Sequence, residues 1–264
     1  MSRGLRLIVL GAPVLAAAIV VGLHAAIPQP LSYHRFADQR TLFGVPHGLD
    51  VLSNLPFAFV GLYRMHVACR IDTRSEHSGR WAYIIFFVGV FLTFFGSGYY
   101  HLAPDNDRLV WDRLPMTLGF MGLLAANVTE RLNSRAGVLL LPPLVFLGLL
   151  TVVYWHATEA VGHGDLRPYL AVQFGSLLAV VLLIALFPPR HTHSYLLVLA
   201  LLLYVAAKVL ESFDSEVFRE LGFVSGHSLK HLVSALAVGA IALMLVRREP
   251  PERIKNRQAV ALGA

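Results

Sequence analysis

The sequence has a single cysteine, Cys69, and few charged residues. One cysteine excludes an intrachain disulfide and a metal site built on several thiolates. Asp, Glu, Lys and Arg make up 14% of the 264 residues, whereas 56% are hydrophobic. A soluble domain of this length would need a far more polar surface, so the composition favours a membrane protein.

Other features are missing as well. The sequence shows no strong internal repeat, no low-complexity tract and no sign of a second domain. Its net charge is +6, but no basic run alternates with aromatic residues. The positive charge therefore does not indicate a nucleic-acid partner, and no feature points to an obligate protein partner.

What the sequence does contain is a series of long apolar segments. Segments of about 17–25 mainly apolar residues can cross a bilayer as helices. The short loops between them predict antiparallel neighbours, so we expect an all-α, polytopic membrane helix bundle. The eight segments cover residues 5–27, 49–69, 81–101, 113–130, 137–156, 168–188, 194–213 and 227–246.

The first segment has two interpretations. Arg3 and Arg6 precede its apolar core, as in a secretory signal. The apolar run is long for a signal, and the residues around Ala25 make a poor cleavage site, which favours a retained helix. The expected organisation is an N-terminal transmembrane helix at 1–30, a membrane domain at 31–247 and a basic cytoplasmic tail at 248–264.

The distribution of charge predicts an orientation. With the N-terminus in the cytoplasm, 14 of the 22 Lys and Arg residues face inward but only 5 of the 16 acidic residues do, in line with the positive-inside tendency. Both chain ends are then cytoplasmic, and the short basic loops suggest a bacterial inner membrane. The inward residues are Arg3, Arg6, Arg64, Arg70, Arg74, Arg80, Arg131, Arg135, Arg190, Arg247, Arg248, Arg253, Lys255 and Arg257, with Asp72, Glu76, Glu130, Glu249 and Glu252.

Polar residues gather at the outer, periplasmic end of this arrangement. The third segment ends at His101, the fourth begins at Asp112, and the last begins with His227 and His231. Helix counting therefore predicts that these four residues lie at a similar depth. Residues four apart share a helix face, so His227 and His231 can approach one ion, and Ser97 lies one turn from His101.

This set of residue types suggests a metal site. Three neutral imidazoles with an open fourth position are the ligands of a catalytic zinc, which lowers the pKa of bound water to about 7 and polarises a carbonyl. Asp112 could then transfer a proton and Ser97 could bind an oxyanion. Each residue also has an ordinary interpretation: interhelical hydrogen bonds for the histidines, an N-cap near Pro115 for Asp112, and close packing for Ser97. Ionisable groups in membranes are costly and usually functional, so their shared depth favours the metal site.

Two further polar groups leave alternatives open. Lys208 and Glu211 are three residues apart, with Asp214 one turn beyond, and structural ion pairing is favoured over a direct chemical role.

Near the second segment, Asp38, Asp50 and Asn54 could supply oxygen ligands for Ca²⁺, whereas helix capping explains Asp50 and Asn54 equally well.

The spacing of Ser97, His101 and Asp112, followed by His227 and His231, resembles the alkaline ceramidase family. That family belongs to a membrane-hydrolase superfamily with the adiponectin/progestin receptors and the Per1 lipid-remodelling proteins. The Ser53-Asn54 pair resembles the start of the first ceramidase core helix, and the similarity spans about residues 36–246.

The resemblance implies a seven-helix core, here preceded by one extra N-terminal transmembrane helix. It implies Zn²⁺ held by His101, His227 and His231, with Ser97 and Asp112 assisting hydrolysis of ceramide or a related N-acyl lipid to a fatty acid and a sphingoid base or amine. The substrate would be a membrane lipid, of the phytoceramide type or, since many bacteria lack sphingolipids, another N-acyl lipid.

The resemblance also implies a calcium site in an acidic N-terminal segment. Here that segment is poor in acids, with Asp38 and Asp50 the only carboxylates to nominate and His47 near an expected acidic position. The competing functions are a non-catalytic, zinc-stabilised receptor or lipid-binding protein, and a transporter, for which no inverted repeat is visible.

Overall fold

The computed structural model describes residues 1–70, 79–189 and 191–249, and the side chains of 67–70 are outside the description. The described part is helical and contains no β-strand, which confirms the all-α class. Most of the predicted tail at 248–264 lies outside the described residues, as do the inward charges Asp72, Arg74, Glu76, Arg190, Glu252, Arg253, Lys255 and Arg257.

The helices follow the predicted segments closely. They are α1 (Arg3–Leu23), α2 (Gly48–Leu52), α3 (Leu55–Arg70), α4 (Arg80–Leu102), α5 (Asn106–Asn127), α6 (Ser134–Ala160), α7 (Arg167–Leu186), α8 (Tyr195–Ser212), α9 (Asp214–Leu221) and α10 (Gly226–Arg247). A π-helical turn, Val128–Leu132, extends α5.

Among the described residues, six helices are long and apolar enough to cross a membrane: α1, α4, α6, α7, α8 and α10. These helices indicate an integral membrane protein. The first two turns of α5 carry Asp107, Arg108, Asp112 and Arg113, too many charges for an apolar span, and α3 has only 16 residues. The seven-helix core with one additional helix therefore stays a prediction.

The second predicted segment is two helices rather than one. The chain breaks at Ser53-Asn54, where the Ser53 hydroxyl and the Asn54 amide both donate to the carbonyl oxygen of Asp50. Pro56, at the second position of α3, has no N–H to continue the hydrogen bonds of α2. The Asp50 side chain caps no helix, so that interpretation was wrong for Asp50, whereas the Asn54 amide caps the C-terminal end of α2.

The placement of Asp112 near the start of its helix was also wrong. Asp105 caps α5 by accepting a hydrogen bond from the backbone N–H of Arg108, so Asp112 lies in the second turn. Pro115 is therefore inside the helix, where its missing N–H leaves the carbonyl of Trp111 without its usual partner.

Helices α4 and α5 approach closely at that carbonyl. Gly96 of α4 lies against the Trp111 backbone. Gly89 of α4 lies against the carbonyl oxygen of Pro115, one helical turn further along α5. Glycine allows two backbones to come together in this way in membrane bundles. This contact fixes the residues around Ser97 beside the second turn of α5.

Helix α1 lies outside the bundle and buries none of its residues. It packs along α7, where Arg6 donates to the Leu186 carbonyl and Arg167 donates to the Gly22 carbonyl. From α1 the chain crosses one end of the bundle as a strap, residues 24–47. The start of α1 and the end of α10 both lie at the opposite end.

The close approach at Gly96 can be tested with Gly96→Ala. A Cβ there would overlap the Trp111 carbonyl, and we expect overpacking to lower the free energy of unfolding by about 1–3 kcal/mol. Gly98→Ala is the matched control, because a Cβ at Gly98 meets nothing within 4 Å. Thermal melting in detergent should lower Tm only for Gly96→Ala; equal melting of the two variants would contradict the contact.

Candidate metal centre

The three predicted histidines meet at the end of the bundle covered by the strap. His101 ends α4, and His227 and His231 occupy the first turns of α10; all three are buried. Their ring centroids are 4.8 to 5.0 Å apart, and one nitrogen from each ring can be chosen so that all lie within 4.8 Å of one another. The convergence expected from helix counting is therefore present, and the cluster could hold a metal ion.

The start of α10 is fixed by contacts from distant parts of the chain. The Asp214 carboxylate accepts hydrogen bonds from the backbone N–H groups of His227 and of Ala37 in the strap. Asp50 accepts hydrogen bonds from the hydroxyls of Ser225 and Ser228 in the first turn of α10. These contacts hold both α10 histidines at a defined height and rotation.

The hydrogen bonds of His231 indicate which nitrogen faces the cluster. Its Nδ1 lies 2.8 Å from the Ser53 hydroxyl, and that hydroxyl donates to the Asp50 carbonyl. The Ser53 oxygen is then free to accept from Nδ1–H, which leaves the Nε2 lone pair for a ligand. A polar group that orients the second imidazole nitrogen in this way is usual around metal-binding histidines.

The other two rings have a separation that suits a metal ion. His101 Nε2 and His227 Nε2 lie 3.3 Å apart. Two nitrogens on a tetrahedral zinc, with Zn–N distances of about 2.0–2.1 Å, would be separated by roughly the same distance. Lys230 Nζ lies 3.1 Å from His227 Nε2, while it also contacts Glu211 Oε1 at 3.0 Å. The donor set fits a three-histidine ion, with the Lys230 ammonium retained by Glu211.

Phe36 of the strap covers the cluster. Its ring centroid lies 4.7 Å from that of His101 and 4.4 Å from that of His227. The strap is anchored nearby, since His34 bridges the Tyr100 hydroxyl and the Asn106 side-chain oxygen. Phe36 therefore excludes water from this side of the histidines.

Ser97 and Asp112 lie together beside the cluster. The Ser97 hydroxyl lies beside the Asp112 carboxylate. Both residues, with His231, line one cavity of about 340 Å³. Asp112 is not an N-cap, because Asp105 caps α5, whereas a packing role for Ser97 stays open beside the catalytic one.

The cavity extends from this polar end into the apolar interior of the bundle. On α10 its lining runs from Lys230 and His231 to Ile241, a rise of about 15 Å along the helix. Apart from the polar end, most of its wall is apolar. The deeper lining residues include Phe86, Val90, Phe120, Leu123, Leu197, Ala200, Ala237 and Val238.

The cavity reaches the side of the bundle between α7 and α8. Phe174, Leu177 and Leu201 line both the cavity and a groove on the outside of the protein. The groove continues over the exposed side chains of Val181 and Val205. A thin shared wall thus separates the interior from the lipid-facing surface.

The predicted ion pair on α8 is present and larger than expected. Lys208 contacts Glu211, and Lys230 of α10 contacts the other carboxylate oxygen of the same residue. All three line the cavity. Asp214 does not join them and instead holds the start of α10.

The residues nominated for calcium do not form a ligand group. Both carboxylate oxygens of Asp38 contact the Arg40 guanidinium, whose hydrogen bonds hold the pKa of Asp38 below its usual range. Asp50 keeps one oxygen, Oδ2, without a partner. Across the described ranges, the three histidines are the one group of three or more His, Cys, Asp or Glu found suitable for a metal. Calcium binding stays a prediction.

Sequence reasoning missed Phe36, Lys230 and, as a partner of His231, the hydroxyl of Ser53. The i, i+3 spacing of Lys230 from His227 was an available signal, whereas nothing local marks Phe36. Comparison with known family models and with curated proteins gives no match. The likeness to ceramidases therefore depends on the motif residues alone.

Metal analysis of the purified protein tests the cluster. We expect about one divalent ion per chain, and loss of that ion in His101→Ala and His231→Ala. His156→Ala is the control, because His156 pairs with Asp107 away from the cluster. Full metal content in the two cluster variants would refute the site.

A second prediction concerns Ser53. Because its hydroxyl orients His231, Ser53→Ala should weaken metal affinity by about 10–100-fold without removing a ligand. Competition with a chelator measures this change. Unchanged affinity would mean that the contact does not orient the ring.

Proposed function

We propose that the protein is a zinc-dependent intramembrane hydrolase that cleaves the amide of ceramide or a related N-acyl lipid. One observation carries the proposal: three buried imidazoles and the Ser97–Asp112 pair lie together at the polar end of a long apolar cavity in a membrane bundle. A structural metal site would gain nothing from such a cavity. The resemblance to alkaline ceramidases supports the same reaction.

The polar residues have separate roles in this proposal. His101, His227 and His231 hold the ion, and zinc bound there supplies a Lewis acid for an amide carbonyl and makes water more acidic. Hydrolysis breaks the amide C–N bond and forms a C–O bond to water. Asp112 accepts the proton that water loses and delivers it to the departing amine nitrogen.

Ser97 acts through its contact with Asp112. Its hydroxyl holds the carboxylate in one orientation, which favours proton transfer along a fixed path. Phe36 keeps bulk water away from two imidazoles, so that the local dielectric stays low and electrostatic effects are stronger.

The cavity accommodates the acyl chain. Its polar end matches an amide and a head group, and its apolar length along α10 matches a hydrocarbon chain. The shared wall between α7 and α8 gives a lipid a sideways path from the bilayer. Such a path spares a long-chain substrate from leaving the hydrocarbon layer.

The same proposal includes a location. The site faces the periplasm of a bacterial inner membrane, with both chain ends cytoplasmic. This orientation is supported by basic residues at the end of the bundle opposite the histidines, namely Arg3, Arg6, Arg131 and Arg248.

Fatty-acid release from labelled N-acyl lipids tests the reaction. Asp112→Asn should lower kcat by about 10²–10⁴-fold, the usual contribution of a general acid or base, with metal content retained. Ser97→Ala should lower it less, since Asp112 remains. His156→Ala serves as the control variant. A metal-loaded protein that binds N-acyl lipids and cleaves none of them would instead favour the non-catalytic receptor.

The role of the cavity predicts a change in chain-length preference. Ala237 is buried in its wall, two turns below His231, so Ala237→Phe should shorten the space for the acyl chain. We expect kcat/KM to fall for long-chain lipids and to be largely kept for short ones. Leu236→Phe, on the exposed face of the same helix, is the control. An equal loss at all chain lengths would place the chain elsewhere.

A further inference from the structure

Arg113 is a buried cation that the proposed reaction does not use. It follows Asp112 on α5 and its side chain is only 5% exposed. The guanidinium lies over Trp155, at 4.2 Å from the ring centroid, and over Tyr169, at 4.8 Å, and its Nη2 donates to Gln29 Oε1 at 2.6 Å. These contacts fix the group in one orientation.

Asp112 interacts electrostatically with this guanidinium but forms no salt bridge with it. Within the described part of the chain, no salt bridge joins Arg113 to an acid, and its Nη1 has no hydrogen-bond partner. Glu159, the nearest candidate on α6, contacts the backbone N–H of Gln29 and the indole of Trp155 instead. A buried guanidinium without a counter-ion is unfavourable unless a ligand supplies one.

Arg113 also lines the cavity that contains Ser97 and Asp112. Five charged side chains line this space: Asp112, Arg113, Lys208, Glu211 and Lys230. Both lysines contact Glu211, and Asp112 contacts Ser97. The three cations therefore outnumber the two carboxylates, and the Arg113 guanidinium keeps its Nη1 without a hydrogen-bond partner.

We propose that Arg113 binds an oxyanion carried by the lipid, a carboxylate or phosphate close to the scissile amide, so that the preferred substrate is an acidic N-acyl lipid rather than a neutral one. This inference rests on the proposed amide hydrolysis. The planar guanidinium donates in a fork that matches a carboxylate or phosphate. Because Arg113 and Asp112 line the same cavity, the anionic group would lie within the same lipid head as the scissile amide.

The test compares an N-acyl amino acid with an N-acyl ethanolamine of the same chain length. The metal-loaded protein should show the higher kcat/KM for the acidic lipid. Arg113→Gln should lower kcat/KM for the acidic lipid by about 10–100-fold, mainly through KM, and change the neutral lipid little. Arg113→Lys keeps the charge but lacks the forked donor pair, so its kcat/KM for the acidic lipid should lie between those of the unmodified protein and Arg113→Gln. Arg108→Gln, on the same helix and paired with Asp105, is the control.

Binding by the inactive Asp112→Asn protein separates this proposal from the hydrolase proposal. The acidic lipid should bind, and the added Arg113→Gln change should weaken it. If acidic lipids bind through Arg113 and are never cleaved, the hydrolase proposal is refuted and the oxyanion site is retained. If neutral lipids are cleaved at a rate that does not depend on Arg113, and acidic lipids are not preferred, the oxyanion site is refuted and the hydrolase proposal is retained.

Two other outcomes would overturn the assignment. If Arg113→Gln lowers Tm and reduces both substrates equally, the guanidinium is only a structural element between aromatic rings. If the variant weakens binding of a free fatty acid but leaves KM for the acidic lipid unchanged, the oxyanion belongs to the released product and not to the head group.

Discussion

The structure depends on how an apolar bundle accommodates three imidazoles less than about 5 Å apart. Each ring is buried, so its nitrogens need partners from the protein or from an ion. Ser53 supplies one for His231, Asp214 fixes the backbone of His227, and Phe36 covers His101 and His227. Helices α4, α9 and α10, the junction of α2 with α3, and the strap are thus tied to one another through the residues around the cluster.

The helices and their shared site could be predicted because they follow from simple regularities. A bilayer sets the length of an apolar segment, and antiparallel order alternates its direction, so the ends of α4 and the start of α10 must meet at one side. The i, i+4 spacing then places His227 and His231 on one face. The prediction needed no knowledge of side-chain packing, which is why it succeeded over 130 positions of sequence.

The failures share a different origin. Asp112 was placed at a helix start because Pro115 fits a first turn. Asp105 is instead the cap of α5, and Pro115 is tolerated inside the helix because Gly96 leaves room for the Trp111 carbonyl that lacks its usual donor. The contact of Ser53 with His231 and the cover by Phe36 depend on α10 and on the strap, which are remote in sequence from the residues that they contact. Local patterns show which residues suit a cap or a span; they do not show which distant groups compete for the same hydrogen bond.

In the proposed function, charge connects the candidate metal centre with the lipid substrate. Imidazoles are neutral ligands, so a divalent ion held by three of them keeps its full charge in a medium of low dielectric. The neighbouring groups add to it: Lys230 lies 3.1 Å from His227, and Arg113 lines the same cavity as His231. Glu211 is already shared by two lysines, which leaves Asp112 as the remaining carboxylate on the described cavity wall. In the proposed reaction, Asp112 alone would not offset both the ion and the guanidinium, which is why we propose that the remaining negative charge comes with the ligand.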